Sequence, residues 1–170
     1  SKLLLKEKAM DKVGNKQPLG KNKYGLPQGQ IPSKSWIVLD LGKRPAKEQY
    51  NLDDNGSLWS LKVVMEDTRN AVSINLADVE SAGLVEYPNS SWHCVTGWSK
   101  SNLLFRGLPF SEFEKLVQTK CEKAGYEYSN SWRFLFQSSP EGYTVPVFRE
   151  DTCDAFLCVY ADRKLMELEH

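Results

Sequence analysis

The sequence predicts an α+β domain with mixed, largely antiparallel sheets and a few helices. Short stretches of alternating apolar and polar residues recur between turn signals. Only one stretch has a strong helical period. Strands and helices also fail to alternate in the regular way that a doubly wound parallel sheet requires. A chain of 170 residues has room for a sizeable core without staples.

The elements are predicted in order as follows. Residues 1–30 form a basic N-terminal arm, in which seven lysines from Lys2 to Lys23 face only Glu7 and Asp11. A domain over 31–170 follows. Its first strand is Trp36 to Leu41, closed by Gly42. Asp53-Asp54-Asn55-Gly56 marks a turn. Leu58 to Met65 is a strand in which Trp59, Leu61 and Val63 alternate with Ser60 and Lys62. Asn75 caps a short helix through Ala82, with Asp78 completing a capping box.

The strongest helix follows Pro109, with Ser111 and Glu114 read as a second capping box and Gly125 at its end. Phe113, Leu116, Val117, Cys121 and Ala124 recur at helical spacing and form its buried stripe. Trp132 to Gln137 reads as a strand leading into the turn residues Ser138 to Gly142. Tyr143 to Phe148 continues extended, with Pro146 restricting it to an edge. Ala155 to Tyr160 is the last long strand, and Asp162-Arg163 a tight turn into Lys164, although it lacks the glycine such turns prefer.

Charge and length exclude several classes. Basic and acidic residues balance at 22 each, which argues against a nucleic-acid binder with a basic field over the whole molecule. No apolar run approaches the roughly 20 residues a transmembrane helix needs. The start Ser1-Lys2-Leu3-Leu4-Leu5-Lys6 is too short an apolar stretch for a signal sequence. A soluble protein is expected, with cytoplasm and periplasm both open.

The cysteines are Cys94, Cys121, Cys153 and Cys158, and the histidines His93 and His170. No pair has zinc-ribbon spacing. Helical phase assigns Cys121 to the core. Cys153 and Cys158, five residues apart across the last long strand, point to opposite faces and are read as packing rather than pairing.

The segment Trp92-His93-Cys94-Val95-Thr96-Gly97-Trp98-Ser99-Lys100 stands apart. It follows turn residues Pro88-Asn89-Ser90-Ser91 and gathers a thiol, an imidazole, two hydroxyls and two indoles on what reads as a loop. Three roles compete for Cys94: a buried small side chain, a nucleophile activated by a base, or a soft ligand for a metal-bearing cofactor. His93 is badly placed as the base, because neighbours on an extended chain face opposite ways. One protein ligand cannot build a metal site, so a cofactor would have to bring the rest.

The run His93 to Ser99 resembles the H-C-V-T-x-W-S motif of bacterial members of the sulfite oxidase-like, molybdopterin-binding oxidoreductase family. Leu26-Pro27-Gln28-Gly29-Gln30, Trp59-Ser60-Leu61-Lys62-Val63, Phe105-Arg106-Gly107-Leu108-Pro109-Phe110, Gly142-Tyr143-Thr144 and Leu168-Glu169-His170 resemble further passages of that family, in the same order. The resemblance implies a sulfite-oxidase-type molybdopterin-binding fold and an oxidoreductase in which the Cys94 thiolate ligates molybdenum. It implies two-electron redox of the oxygen-atom-transfer type on a small substrate, and a haem or other redox partner protein. It also implies cofactor contacts from His93, Thr96, Trp98, Ser99, Ser138 and Thr144. In the family, closing strands and a basic loop follow the position of His170, so 31–170 reads as a domain lacking its C-terminal end. The chain also departs from the family at Leu104-Phe105. These departures motivate the alternative of a non-catalytic binding or scaffold member that does not retain the cofactor.

Overall fold

A computed structural model describes residues 20–37, 60–138 and 144–166. Their strands are β1 (Ile31–Pro32), β2 (Ser60–Val64), β3 (Ala71–Asn75), β4 (Val85–His93), β5 (Trp98–Pro109), β6 (Phe134–Ser138), β7 (Thr144–Phe148), β8 (Phe156–Ala161) and β9 (Lys164–Leu165). The helices are α1 (Leu76–Ser81) and α2 (Phe110–Ala124), with a 3-10 turn at Arg149–Thr152. The α+β class with mainly antiparallel pairing is as expected; the pairing of β1 with β5 is parallel.

The chain divides into two units. The first comprises Ser1–Trp36 and Ser91–Asn102, the second Ile37–Ser90 and Leu103–His170. Strands β4 and β5 each begin in one unit and end in the other. Each carries a left-handed asparagine near the boundary, Asn89 (φ 55°) and Asn102 (φ 59°). Asparagine adopts this backbone at lower cost than most residues, so it breaks the pleat cheaply.

The core of the second unit follows from local pattern. In β3, Val72 and Ile74 are buried while Ser73 is exposed, the alternation of a half-buried strand. Leu76 and Val79 of α1 and Val117 and Cys121 of α2 are spaced three and four apart, which sets each pair on one helix face. These residues cluster with Leu108 and Val159.

The capping box of α1 forms as predicted. The Asn75 side chain accepts from the Asp78 amide at 2.9 Å, and the Asp78 carboxylate accepts from the Asn75 amide at 3.0 Å. Lys120 pairs with Asp78 at 2.8 Å. Burial pushes the Asp78 carboxyl up, but the Lys120 and Asn75 contacts outweigh it and hold the group below its ordinary value. Replacing Asn75 with alanine is expected to cost about 1 kcal/mol, read from the midpoint of urea unfolding.

Helix α2 corrects one expectation. It begins at Phe110 after Pro109, without a side-chain cap, so Ser111 and Glu114 form no capping box. The Phe110 amide donates instead to the Ala155 carbonyl at 2.9 Å, and Glu114 is engaged elsewhere. At the other end Gly125 (φ 73°) closes the helix in the left-handed conformation, as predicted.

Other boundaries shift. Pro88 to Ser91, expected as a turn, lies wholly within β4, and the Trp92–Lys100 segment is a hairpin rather than a free loop. Trp36 and Ile37 are not in a strand, and the rest of that expected strand lies outside the described residues. Trp132 falls before β6, and Cys158 sits inside β8 rather than at its edge. Pro146 lies opposite Phe136 in the β6–β7 ribbon, and among the described residues neither strand pairs with a third. Asp162 and Arg163 form the two-residue turn joining β8 to β9, both with positive φ. The lysine-rich stretch before residue 20, the turns at Asp53–Gly56 and Ser139–Gly142, and Leu168–His170 also lie outside the described residues.

Candidate functional site

In the first unit, Cys94 to Gly97 turn the chain from β4 into β5. The Cys94 amide donates to the Trp98 carbonyl at 2.8 Å, and the Gly97 amide to the Cys94 carbonyl at 3.0 Å. Gly97 has φ 92°, so three loop residues end on a left-handed glycine, a common hairpin geometry. A Cβ at Gly97 would also lie 3.1 Å from the Gly29 carbonyl oxygen. Glycine is thus required here by both conformation and close approach.

The turn presents Cys94 half-exposed, beside a fully open Val95. The Cys94 Sγ lies 3.1 Å from the Thr96 hydroxyl. The Thr96 hydroxyl and amide hold the Cys94 thiol below its ordinary value against an opposing burial effect, with lesser help from the Trp98 indole and the Val95 amide. Hydrogen bonds to the thiolate favour the charged form. At two other cysteines burial prevails, pushing Cys158 up to about 11 and also raising Cys121, where Glu122 adds to the effect. Cys121 is fully buried, as its helical phase predicted.

Behind the turn lies a network centred on Gln30. Its Nε2 donates to the Cys94 carbonyl at 3.0 Å, which orients the amide. Its Oε1 accepts from the Ser99 hydroxyl at 2.8 Å. The Ser99 proton is therefore committed, and the 2.7 Å contact between Ser99 Oγ and His93 Nδ1 requires the imidazole to donate. His93 is thereby held as the Nδ1–H tautomer when neutral, with an acceptor lone pair on Nε2. The imidazole partners Ser99 rather than the thiol, in keeping with its poor placement as a base for Cys94.

Gln30 is itself delivered by an asparagine-organised loop. Asn22 Oδ1 accepts from the amides of Tyr24 (2.9 Å) and Leu26 (3.2 Å), while its Nδ2 donates to the carbonyls of Pro27 (3.2 Å) and Gln30 (2.6 Å). Leu26 is buried. The Ile31 amide then donates to the Gly97 carbonyl and the Ser33 amide to the Ser99 carbonyl, at 2.9 and 2.7 Å. Sequence reasoning placed Gln30 at the end of an arm and gave Asn22 no role. The only available signal was the resemblance of Leu26 to Gln30 to a family passage.

Aromatic rings surround the β5 side. Trp98 is buried, and Trp36 meets Trp98 and Trp92 edge-on at 6.3 and 5.9 Å. The Lys100 ammonium lies 5.9 Å from the Trp36 ring centroid and donates to the Lys34 carbonyl at 2.8 Å. The described residues of this unit include Lys21, Lys23, Lys34 and Lys100 but no aspartate or glutamate. The charge on these described residues is positive, which favours an anion over a cation.

His93, Cys94, Thr96, Trp98 and Ser99 are thus gathered on one hairpin. Ser138 and Thr144 belong to the second unit, where they pair across β6 and β7, both exposed. Among the described residues no group of three or more His, Cys, Asp and Glu is placed to hold a metal ion. No helix among them is long and apolar enough to cross a membrane. No protein-family model matches the chain, and comparison with curated proteins and with solved structures found no match.

Proposed function

We propose that this chain is a molybdenum-cofactor-dependent oxidoreductase domain of the sulfite oxidase-like kind, with the Cys94 thiolate as the protein ligand to the metal. The observation that carries the reading is the chemistry of that thiol. Cys94 is held at a hairpin tip with its ionised form favoured by the Thr96 hydroxyl and backbone amides. A soft anionic sulfur suits a metal whose other ligands come with the cofactor. A molybdopterin dithiolene is such a ligand set, so the single thiolate fits it.

This chain's residues would act around that ligand. Thr96 and the turn amides favour the ionised sulfur over the thiol, and Trp98 meets Trp36 edge-on beside the turn. The Nε2 acceptor of His93 and the hydroxyl of Thr96 are available to a pterin. The lysines of the unit suit its phosphate. Ser99 acts indirectly, because its hydroxyl already serves His93 and Gln30. The cofactor supplies two-electron chemistry with oxygen-atom transfer to or from a small substrate, and a haem or other redox protein would complete the electron path.

A second reading is a non-catalytic binding or scaffold domain of the same fold. It is favoured by the exposure of Val95 and Thr96 beside the thiol and by the engaged Ser99 hydroxyl. Expression with an intact molybdenum-cofactor pathway, followed by metal analysis, decides between them. Near-stoichiometric molybdenum is expected in the wild type, falling at least about tenfold in Cys94→Ser with an unchanged circular dichroism spectrum. A folded wild-type protein without molybdenum would sink the oxidoreductase reading and select the scaffold.

A further inference from the structure

The second unit carries a surface pocket of about 310 Å³ lined by Glu86, Leu104, Arg106, Tyr160 and Arg163, of which Glu86 and both arginines are exposed. Its two arginines come from separate elements and are held differently. Arg106 on β5 is the direct cross-strand partner of Tyr160 on β8, and its guanidinium lies over the Tyr160 ring, 5.4 Å from the centroid. The Tyr160 hydroxyl donates to Glu80, which fixes the ring and the cation above it.

Arg163 occupies the second position of the β8–β9 turn with φ 67°. That position favours glycine, and a side chain there carries backbone strain. The turn is tied to β5 in both directions. The Leu104 amide donates to Asp162 Oδ1 at 3.0 Å, and the Asp162 amide to the Leu104 carbonyl at 2.8 Å. Among the described residues neither guanidinium forms an ion pair.

A strained turn that keeps an arginine, and two guanidinium groups at one pocket that form no ion pair among the described residues, are both accounted for by an anionic ligand. Guanidinium forks match the oxygens of a tetrahedral oxyanion. Glu86 opposes a bare dianion but accepts from a hydroxyl. Leu104 and the Tyr160 ring supply an apolar wall, and the volume lies at the small end of ligand pockets.

We propose that this pocket binds the phosphate ester of a small hydroxylated molecule, with the phosphate on Arg106 and Arg163 and a hydroxyl on Glu86. The assignment does not rest on the reading of Cys94.

Titration calorimetry of the full chain at fixed ionic strength, with glucose 6-phosphate, inorganic phosphate and glucose as probes, tests it. Glucose 6-phosphate should bind saturably, inorganic phosphate more weakly, and glucose not at all. Arg106→Gln and Arg163→Gly should each lower glucose 6-phosphate affinity by about tenfold or more, as loss of a charge-assisted hydrogen bond predicts. Arg163→Gly should also raise the melting temperature, because glycine relieves the turn, so its binding loss cannot be a folding defect. Glu86→Gln should weaken glucose 6-phosphate while strengthening inorganic phosphate. No saturable binding of either phosphate, equal affinity for the two, or unaltered binding by Arg163→Gly would overturn the proposal.

Discussion

Replacing Gly107 with alanine should destabilise the second unit by about 3 kcal/mol, at the upper end of overpacking effects. Gly107 sits where the register of β5 against β8 shifts. A Cβ there would press into the Leu157 carbonyl oxygen, lie 2.7 Å from Phe156 Cδ2 and stand 3.0 Å from the Leu157 carbonyl carbon. Two of these three neighbours are backbone atoms of a paired strand and cannot rotate aside. Relief requires β8 to move, and β8 carries the buried Val159 while β5 carries Leu108. Gly125→Ala is the control, since its Cβ meets nothing within 4 Å and only its φ of 73° opposes the change. That variant should lose about 1 kcal/mol. Urea unfolding of the two variants measures the difference, and a Gly107→Ala loss no larger than the control would refute the steric account.

Glu114→Ala should cost about 3 kcal/mol, because one carboxylate gathers three distant donors. Glu114 Oε1 accepts from the Tyr128 hydroxyl at 2.6 Å, the Trp132 indole at 2.9 Å and Arg149 Nη1 at 3.1 Å, with Arg149 Nη2 3.4 Å from Oε2. The Arg149 guanidinium also lies 4.5 Å from the Trp132 ring centroid. Hydrogen bonds to a charged acceptor contribute about 1.5–3 kcal/mol each but are not additive. The Arg149 side chain is 38% exposed, so its share is discounted for solvent screening. Glu114→Gln keeps an acceptor for Tyr128 and Trp132 and should recover about half of the loss.

The same site gives a pH dependence of defined sign. Burial raises the Glu114 pKa, but Tyr128, Trp132 and Arg149 outweigh it and hold the group below its ordinary value of 4.5. A depressed folded-state pKa adds stability above the unfolded value, and that contribution disappears as pH falls through the folded value. Asp78, lowered from 3.8, acts in the same sense. Stability should therefore fall as pH drops below about 4.5, and Glu114→Gln should flatten that fall. Urea midpoints from pH 6 to pH 3 provide the measurement, and parallel curves for wild type and variant would refute the assignment. The Tyr128 phenol, pushed up to about 12 by burial and by Glu114, stays protonated throughout.

The features that sequence determined are those whose partners lie within a few residues. Asn75 and Asp78 form their capping box, Gly125 closes α2, and Asp162-Arg163 turns the chain without a glycine. Cys121 is buried because helical phase alone sets its face. Each feature depends on side-chain and backbone chemistry at fixed short spacing, which a single sequence displays directly.

Tertiary structure decided the rest. Ser111 and Glu114 have the spacing of a cap, but Ala155 takes the first helical amide and three donors beyond the helix claim the carboxylate. Pro88 to Ser91 have turn chemistry, yet β4 runs through all of them and pairs with β5. Cys94 was singled out in sequence, whereas Gln30 became part of its surroundings only through contacts spanning 64 and 69 residues. Such contacts follow from where folding brings distant backbone together, and no local spacing encodes them. The thiol was legible because its residue type is rare and its neighbours are unusual. The amide that orders its carbonyl, Ser99 and His93 was an ordinary glutamine until the fold closed the distance.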